Sequence, residues 1–325
     1  GNVDDLTITT DGIEGLINNL SSKKNNLPKE VENLGTISFQ GDISGYLDQL
    51  TAFGSFETQL GIVKTDILFR LKHQKRIDYY LQGKVYTSDF DLGKLLGNSH
   101  FNKTSLDVNI NLEKPTYGNI NGKAEGTIFN FDYNNYSYKD ITLNADYDGK
   151  RADGQLTIND QHGVLNVNGF LDMADKNMPE LDLTARLKNV QLDELHIADK
   201  FANSYLSLIL SANFKGKNLD NIIGAVSIDS IDFIRGEKSF FLPQLSVSST
   251  ATDSIRKLSL NSDIIKGEVT GTYNFTTLVK CIKQTLHPYL PAIIPDNRIQ
   301  DEALDDIDLA FNFQVNNTES LSSIL

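Results

Sequence analysis

The sequence predicts a mainly β fold: an antiparallel sheet built from units of roughly 100 residues, with a few short capping helices. Three observations carry this. Apolar and polar residues alternate over many short runs, which places one set of side chains on a buried face and the other in water. Turn-forming residues punctuate those runs at hairpin spacing. The chain also matches itself when shifted by about 100 residues.

Near the start, Ile13, Leu16, Ile17 and Leu20 fall at helical spacing behind Asp11, which is expected to be the N-cap. Leu27-Pro28-Lys29-Glu30-Val31 predicts a turn of helix with proline at its first position. Ile141, Leu143, Ala145 and Tyr147 form an alternating strand, Asp148-Gly149 a turn, and Leu156 and Ile158 the returning strand. Gln161-His162-Gly163 turns the chain again before Leu165 and Val167. Alternation is equally clear over Leu181 to Leu187, Leu206 to Ala212, and Ile307 to Val315. Between them Leu278, Ile282 and Leu286 predict a second amphipathic helix, capped by Thr276 or Thr277 and ending before Pro288. Both amphipathic helices are expected to cover an edge or end of the sheet.

The self-match is specific in places. Phe90-Asp91-Leu92-Gly93-Lys94-Leu95 aligns with Val190-Gln191-Leu192-Asp193-Glu194-Leu195, and Leu106/Val108/Ile110/Leu112 with Leu206/Leu208/Leu210/Ala212. Further on the interval is roughly 102: Leu156/Ile158 pairs with Leu258/Leu260, and Val167-Asn168-Gly169 with Val269-Thr270-Gly271. The expected organisation is a leading strand and short helices over 1–35, a partial first repeat over 36–103, and a second over 104–203. A third follows over 204–300, ending in the amphipathic helix, and a further repeat starts at 301–325. Leu321-Ser322-Ser323-Ile324-Leu325 corresponds to Leu219-Asp220-Asn221-Ile222-Ile223, so the chain is expected to be part of a longer array.

Composition narrows the function. With 30 basic against 43 acidic residues the net charge is −13, which repels a phosphate backbone, and no basic stripe offsets it. The acidic surplus suits a solvated convex face and disfavours lying flat on anionic lipid. The five histidines stand singly in the sequence without metal-ligand spacing, and His162 falls in a turn and is expected in solvent. Cys281, the single cysteine, is expected as a small buried apolar residue of the second amphipathic helix. Asp146-Tyr147-Asp148-Gly149 begins like a calcium loop, but its glycine comes too early and no glutamate follows in place, so it reads as a hairpin turn. No catalytic residue, metal or cofactor is expected.

Several stretches together resemble a known family. They are Leu27-Pro28-Lys29-Glu30-Val31-Glu32-Asn33-Leu34-Gly35-Thr36-Ile37-Ser38-Phe39, Gly41-Asp42-Ile43-Ser44-Gly45 and Gly54-Ser55-Phe56-Glu57-Thr58-Gln59-Leu60-Gly61. Phe90 to Gly97, Lys217 to Gly224 and Asp253 to Asp263 continue the pattern. In repeat style these are similar to the TamB-like branch of the AsmA-like proteins of Gram-negative envelopes. The resemblance implies an elongated curved sheet, a taco-like trough or β-groove with an apolar inner face. It implies a periplasmic body in a longer protein anchored in the inner membrane by a helix absent from this sequence. The implied partners are phospholipid acyl chains or outer-membrane protein strands, and an outer-membrane barrel-assembly partner reached through regions outside this chain.

Such a trough holds an acyl chain without polar contacts, each buried methylene contributing about 0.8 kcal/mol. The groove candidates are Leu81, Val85, Leu106, Val108, Ile110, Ile141, Leu143, Leu156, Ile158, Leu181, Leu183, Leu206, Leu208, Leu210, Leu258 and Leu260. The alternative is a secreted or surface β-sandwich module that binds glycan or protein.

Overall fold

The computed structural model describes residues 1–20, 29–46, 49–73, 77–115, 119–218, 220–252, 255–288 and 308–316. Leu27-Pro28, Leu219, Ile307 and Leu321 to Leu325, which figure in the sequence reading, lie outside the described residues. The fold is mainly β, with antiparallel strands and four short α-helices among the described residues. Two compact units divide the chain, one comprising 1–170 and 186–204, the other 171–185 and 205–325.

The first unit opens with β1 (Asn2–Ile8), α1 (Thr10–Leu20) and α2 (Lys29–Asn33). There follow β2 (Ile37–Tyr46), β3 (Gln49–Thr58), β4 (Gly61–His73), β5 (Ile77–Asp91) and α3 (Leu92–Leu96). Then come β6 (Phe101–Lys114), β7 (Asn121–Tyr133), β8 (Tyr136–Tyr147), β9 (Arg151–Asp160) and β10 (Gly163–Asp172). Each strand from β2 to β9 pairs antiparallel with the next, and β1 pairs with β2. Short polar turns join several of these strands. At Asp148-Gly149 the carboxylate accepts from the Lys150 amide at 3.0 Å and the Arg151 amide at 2.8 Å. Gly149 takes φ +84°, which a side chain would resist.

The caps of α1 and α4 fall two or three residues before the positions the sequence suggests. In α1 the Gly12 amide donates to Thr9 Oγ1 at 3.3 Å and the Ile13 amide to the Thr9 carbonyl at 3.0 Å. Thr9 is therefore the cap, and Asp11 lies in the first turn, where its charge faces the positive helix end. In α4 (Phe275–Leu286) the first intrahelical bond joins the Leu278 amide to the Asn274 carbonyl at 3.0 Å, so Asn274 occupies the cap position in place of Thr276 or Thr277.

Helix α3 is short and secured at both ends. The Lys94 amide donates to Asp91 Oδ1 at 2.9 Å, and Asn33 Nδ2 donates to the Lys94 and Leu95 carbonyls at 3.1 and 2.9 Å. Partial burial pushes the Asp91 carboxyl up, but the bonds from the Lys94 side chain and amide outweigh it and hold the group below its ordinary range. Asp91→Ala is expected to cost about 1 kcal/mol at neutral pH, nearly all of it from the cap, because the Lys94 ion pair is exposed. A carboxyl with a depressed folded pKa contributes fully above its unfolded value and loses that contribution as pH falls through the folded one. The gap between wild type and Asp91→Ala in denaturant titrations should narrow on acidification below about pH 4. A gap that widened there would contradict the cap.

A turn motif recurs every 102 residues. Thr58 Oγ1 accepts from the Leu60 amide at 3.1 Å, Asp160 Oδ1 from the His162 amide at 3.0 Å, and Ser262 Oγ from the Ile265 amide at 3.0 Å. Two residues beyond each of these, a carbonyl is capped by a later amide. Asp91 donates to Leu60, Gln191 to His162 and Asn316 to Ile264, at 2.8, 2.9 and 2.8 Å. Phe90 and Val190, 6% and 4% exposed, pack at equivalent points beside Gly61 and Gly163.

The second unit holds the first part of β11 (Glu180–Val190) with β12 (Ser204–Lys215) and β13 (Ile223–Arg235). It continues through β14 (Lys238–Thr252), β15 (Ile255–Ser262), β16 (Ile265–Thr272), α4 and β17 (Asp308–Val315). β13 to β17 pair in series. Leu278 of α4 is 1% exposed, while Cys281, expected to be buried, is half-buried on the same helix.

Candidate functional site

Register makes a surface out of separate alternating strands. In the first unit, positions paired across β2 to β9 form straight rows on one face. The row nearest the Leu60 turn reads Phe39, Phe56, Val63, Thr87, Leu106, Ile128, Ile141, Ile158. The next reads Gly41, Gly54, Thr65, Val85, Val108, Gly126, Leu143, Leu156. The third is Ile43, Ala52, Ile67, Gly83, Ile110, Ala124, Ala145, Gly154, and the fourth Gly45, Leu50, Phe69, Leu81, Leu112, Gly122, Tyr147, Ala152. No position in these four rows carries a charge.

Burial grades across the face. Phe39, Thr87 and Ile141 in the first row are 3%, 4% and 4% exposed. Apolar residues of the other rows, including Val85, Val108, Ile110, Leu112, Leu143 and Leu156, are only half-buried. Two packed sheets bury such residues almost fully, because the facing layer excludes water. Phe39 and Phe56 pack ring on ring at 4.8 Å between centroids, closing the buried end.

Nine of the groove candidates lie in these rows: Leu81, Val85, Leu106, Val108, Ile110, Ile141, Leu143, Leu156 and Ile158. In the second unit Leu258 pairs with Ser249 and Val269, and Leu260 with Val247 and Gly267, again on the face without acidic residues. On β11 and β12, the Glu180–Lys215 ion pair at 2.9 Å and the Asn213–Asp182 hydrogen bond at 2.6 Å fix which side is polar. Leu181, Leu183, Leu206, Leu208 and Leu210 alternate with that side and stand half-buried on the other. Alternation in sequence did not single out Gly41, Gly54, Thr65 or Ala124, because small residues carry little hydropathy signal. Their membership comes from the pairing alone.

The opposite face of the first unit is charged and carries cross-strand partners: Thr127, Thr142 and Thr157 in one row, and Lys84 with Asp107 at 2.8 Å. The acidic surplus was expected on a convex face. This face carries a cleft of about 660 Å³ walled by Asp66, Gln82, Lys84, Asn109 and Lys123. A second cleft, about 550 Å³, is walled by Phe53, Lys64, Lys84 and Tyr86. Strand twist dishes a sheet along its diagonals, so both faces can be locally concave.

The histidines are less scattered in space than in sequence. His100 Nδ1 meets Asn134 Oδ1 at 2.8 Å, and His196 Nδ1 meets the Asn134 carbonyl at 3.2 Å. The His162 and His196 rings lie 6.1 and 6.2 Å from Tyr136. His162 is half-buried rather than solvated, because the loop after β11 folds over its turn and Gln191 bonds both its carbonyl and its ring. Tyr136 donates to Asp160, and burial together with that carboxylate pushes the phenol pKa well up. The cluster ties hairpin ends together. No group of three metal-ligating side chains forms among the described residues.

No helix among the described residues is long and apolar enough to cross a membrane. Comparison of the chain with family models, curated proteins and solved structures finds no match.

Proposed function

We propose that the uncharged face of the first unit is a trough for acyl chains. The chain is then a non-enzymatic periplasmic segment that carries phospholipid between inner and outer membrane, or shelters outer-membrane protein strands, as its TamB-like resemblance implies. One observation carries this reading: four aligned rows across eight strands without a charge, largely half-buried instead of sealed. An apolar surface of that extent in water is costly unless something covers it. The test is to express the chain in a Gram-negative periplasm, purify it gently and extract it for lipid mass spectrometry. Stoichiometric phospholipid is expected. A lipid-free protein that also fails to take up added fluorescent fatty acid would overturn the trough.

A second reading, glycan or protein binding on the charged face, draws on one feature. In the cleft at Phe53, Tyr86 and Lys64, Phe53 is 61% exposed and Lys64 Nζ lies 5.8 Å from the Tyr86 ring. Retention on immobilised oligosaccharide that is lost in Phe53→Ala, without any bound lipid, would favour it.

A further inference from the structure

Three hollows on the charged face of the first unit open into one another. The cleft at Phe53 and Tyr86 and the larger one over Gln82 and Asn109 have Asp66 and Lys84 as common walls. The larger one in turn has Asn111 and Lys123 in common with a third, of about 330 Å³, at Asp146 and Arg151. Phe53 lies on β3 and Arg151 on β9, so the hollows make one furrow across the strands between them. At the usual spacing of neighbouring strands it is roughly 25–30 Å long.

The walls determine what this furrow can hold. Phe53 stands 61% exposed between Asp42 and Asp66 in its row, and Tyr86 is exposed with Lys64 against its ring. At the far end the Arg151 guanidinium covers the Phe170 ring at 3.5 Å and donates to Asp153 through two hydrogen bonds, at 2.8 and 2.7 Å. Each end therefore presents a flat surface for stacking, aromatic at one and guanidinium at the other. Between them the amide side chains of Gln82, Asn109 and Asn111 are exposed.

The cations along the furrow are matched: Lys84 with Asp107 at 2.8 Å, Lys123 with Glu125 at 3.6 Å, and Arg151 with Asp153. Asp66 and Asp146 add negative charge, which repels a phosphate, sulfate or carboxylate ligand. An acyl chain would have to strip these charges of water. A peptide would find no free strand edge, because the backbone ladders are already paired from β3 to β9. An uncharged sugar fits all of these walls. Its hydroxyls donate and accept at once, as amides and ion pairs require, and its C–H faces stack on rings.

We propose that the furrow binds a linear, uncharged oligosaccharide laid across the strands, with one sugar on Phe53 and Tyr86 and a later one on Arg151. This rests on the glycan reading of the Phe53 cleft and extends it along the sheet. The trough lies on the opposite face and is independent of it.

The test is fluorescence anisotropy with end-labelled dimers and hexamers of β-1,4-linked glucose and N-acetylglucosamine, and a galacturonate hexamer. One of the uncharged hexamers should bind about tenfold or more tighter than its dimer, because linked subsites raise one another's occupancy. Phe53→Ala and Arg151→Ala should each weaken that hexamer about three- to tenfold, with folding checked by melting curves. Gln82→Ala, exposed in mid-furrow, replaces Arg151→Ala if that variant does not fold. Val108→Asp, on the other face, should leave the hexamer unchanged. A hexamer no tighter than its dimer, lost in Phe53→Ala and indifferent to Arg151→Ala, would confine the sugar to the first cleft and overturn the furrow. Preference for the galacturonate hexamer would overturn the uncharged class. Binding of no oligomer would remove the glycan reading as well, with the trough still standing on its own lipid test.

Discussion

Gly41→Val is expected to destabilise the first unit by roughly 3–5 kcal/mol, the largest single effect short of a charge in the buried row. The cause is backbone, not packing. Gly41 has φ +150°, where a side chain is strained, and its Cβ would overlap the facing Phe53 carbonyl, so β2 and β3 must part or shift register. A register slip of one residue would turn Phe39 and Ile43 outward and Gln40 and Asp42 inward. Leu143→Val at the equivalent position of the second repeat, where a side chain already stands, should cost only about 1 kcal/mol. Chemical denaturation distinguishes them; a Gly41→Val loss near that of Leu143→Val would show that the close approach of the two strands is unimportant.

The second large effect concerns the ligand. Val108 sits half-buried between Val85 and Gly126 in a row without cations, so an aspartate there has no partner and an acyl chain laid over it must strip its hydration. Val108→Asp is expected to cut fatty-acid uptake tenfold or more with the fold retained, since the position still reaches solvent. Asn109→Asp, one residue along and on the charged face, should leave uptake unchanged. Full uptake by a folded Val108→Asp would place the acyl chain elsewhere.

How far the sequence spoke for itself follows a physical line. Alternation reports which side of a strand is wet, so the faces of Leu81, Ile141, Leu206 and Leu258 were legible. Turn chemistry was legible too, as at Asp148-Gly149. Cap positions slipped, because Thr9 and Asn274 cap as well as their neighbours and only backbone geometry chooses among them. The rows themselves could not be read. They depend on registers summed over eight strands, and at Gly41 and Gly54 the residues that matter have no side chain to give a signal. The gathering of His100, His162 and His196 around one hairpin rests on contacts as distant in sequence as Asn134 with His196, 62 positions apart, which local pattern cannot anticipate.

The strictly serial pairing of β2 to β9 has a kinetic consequence. Each ladder joins neighbours in the chain, most across a few residues and β5–β6 across the nine residues that hold α3, so the chain-entropy cost of each new strand is small and the contact order is low for a β protein. Each strand needs only its predecessor as a template. Assembly can therefore follow the chain as it emerges from a narrow pore, strand upon strand, without waiting for a distant partner to arrive.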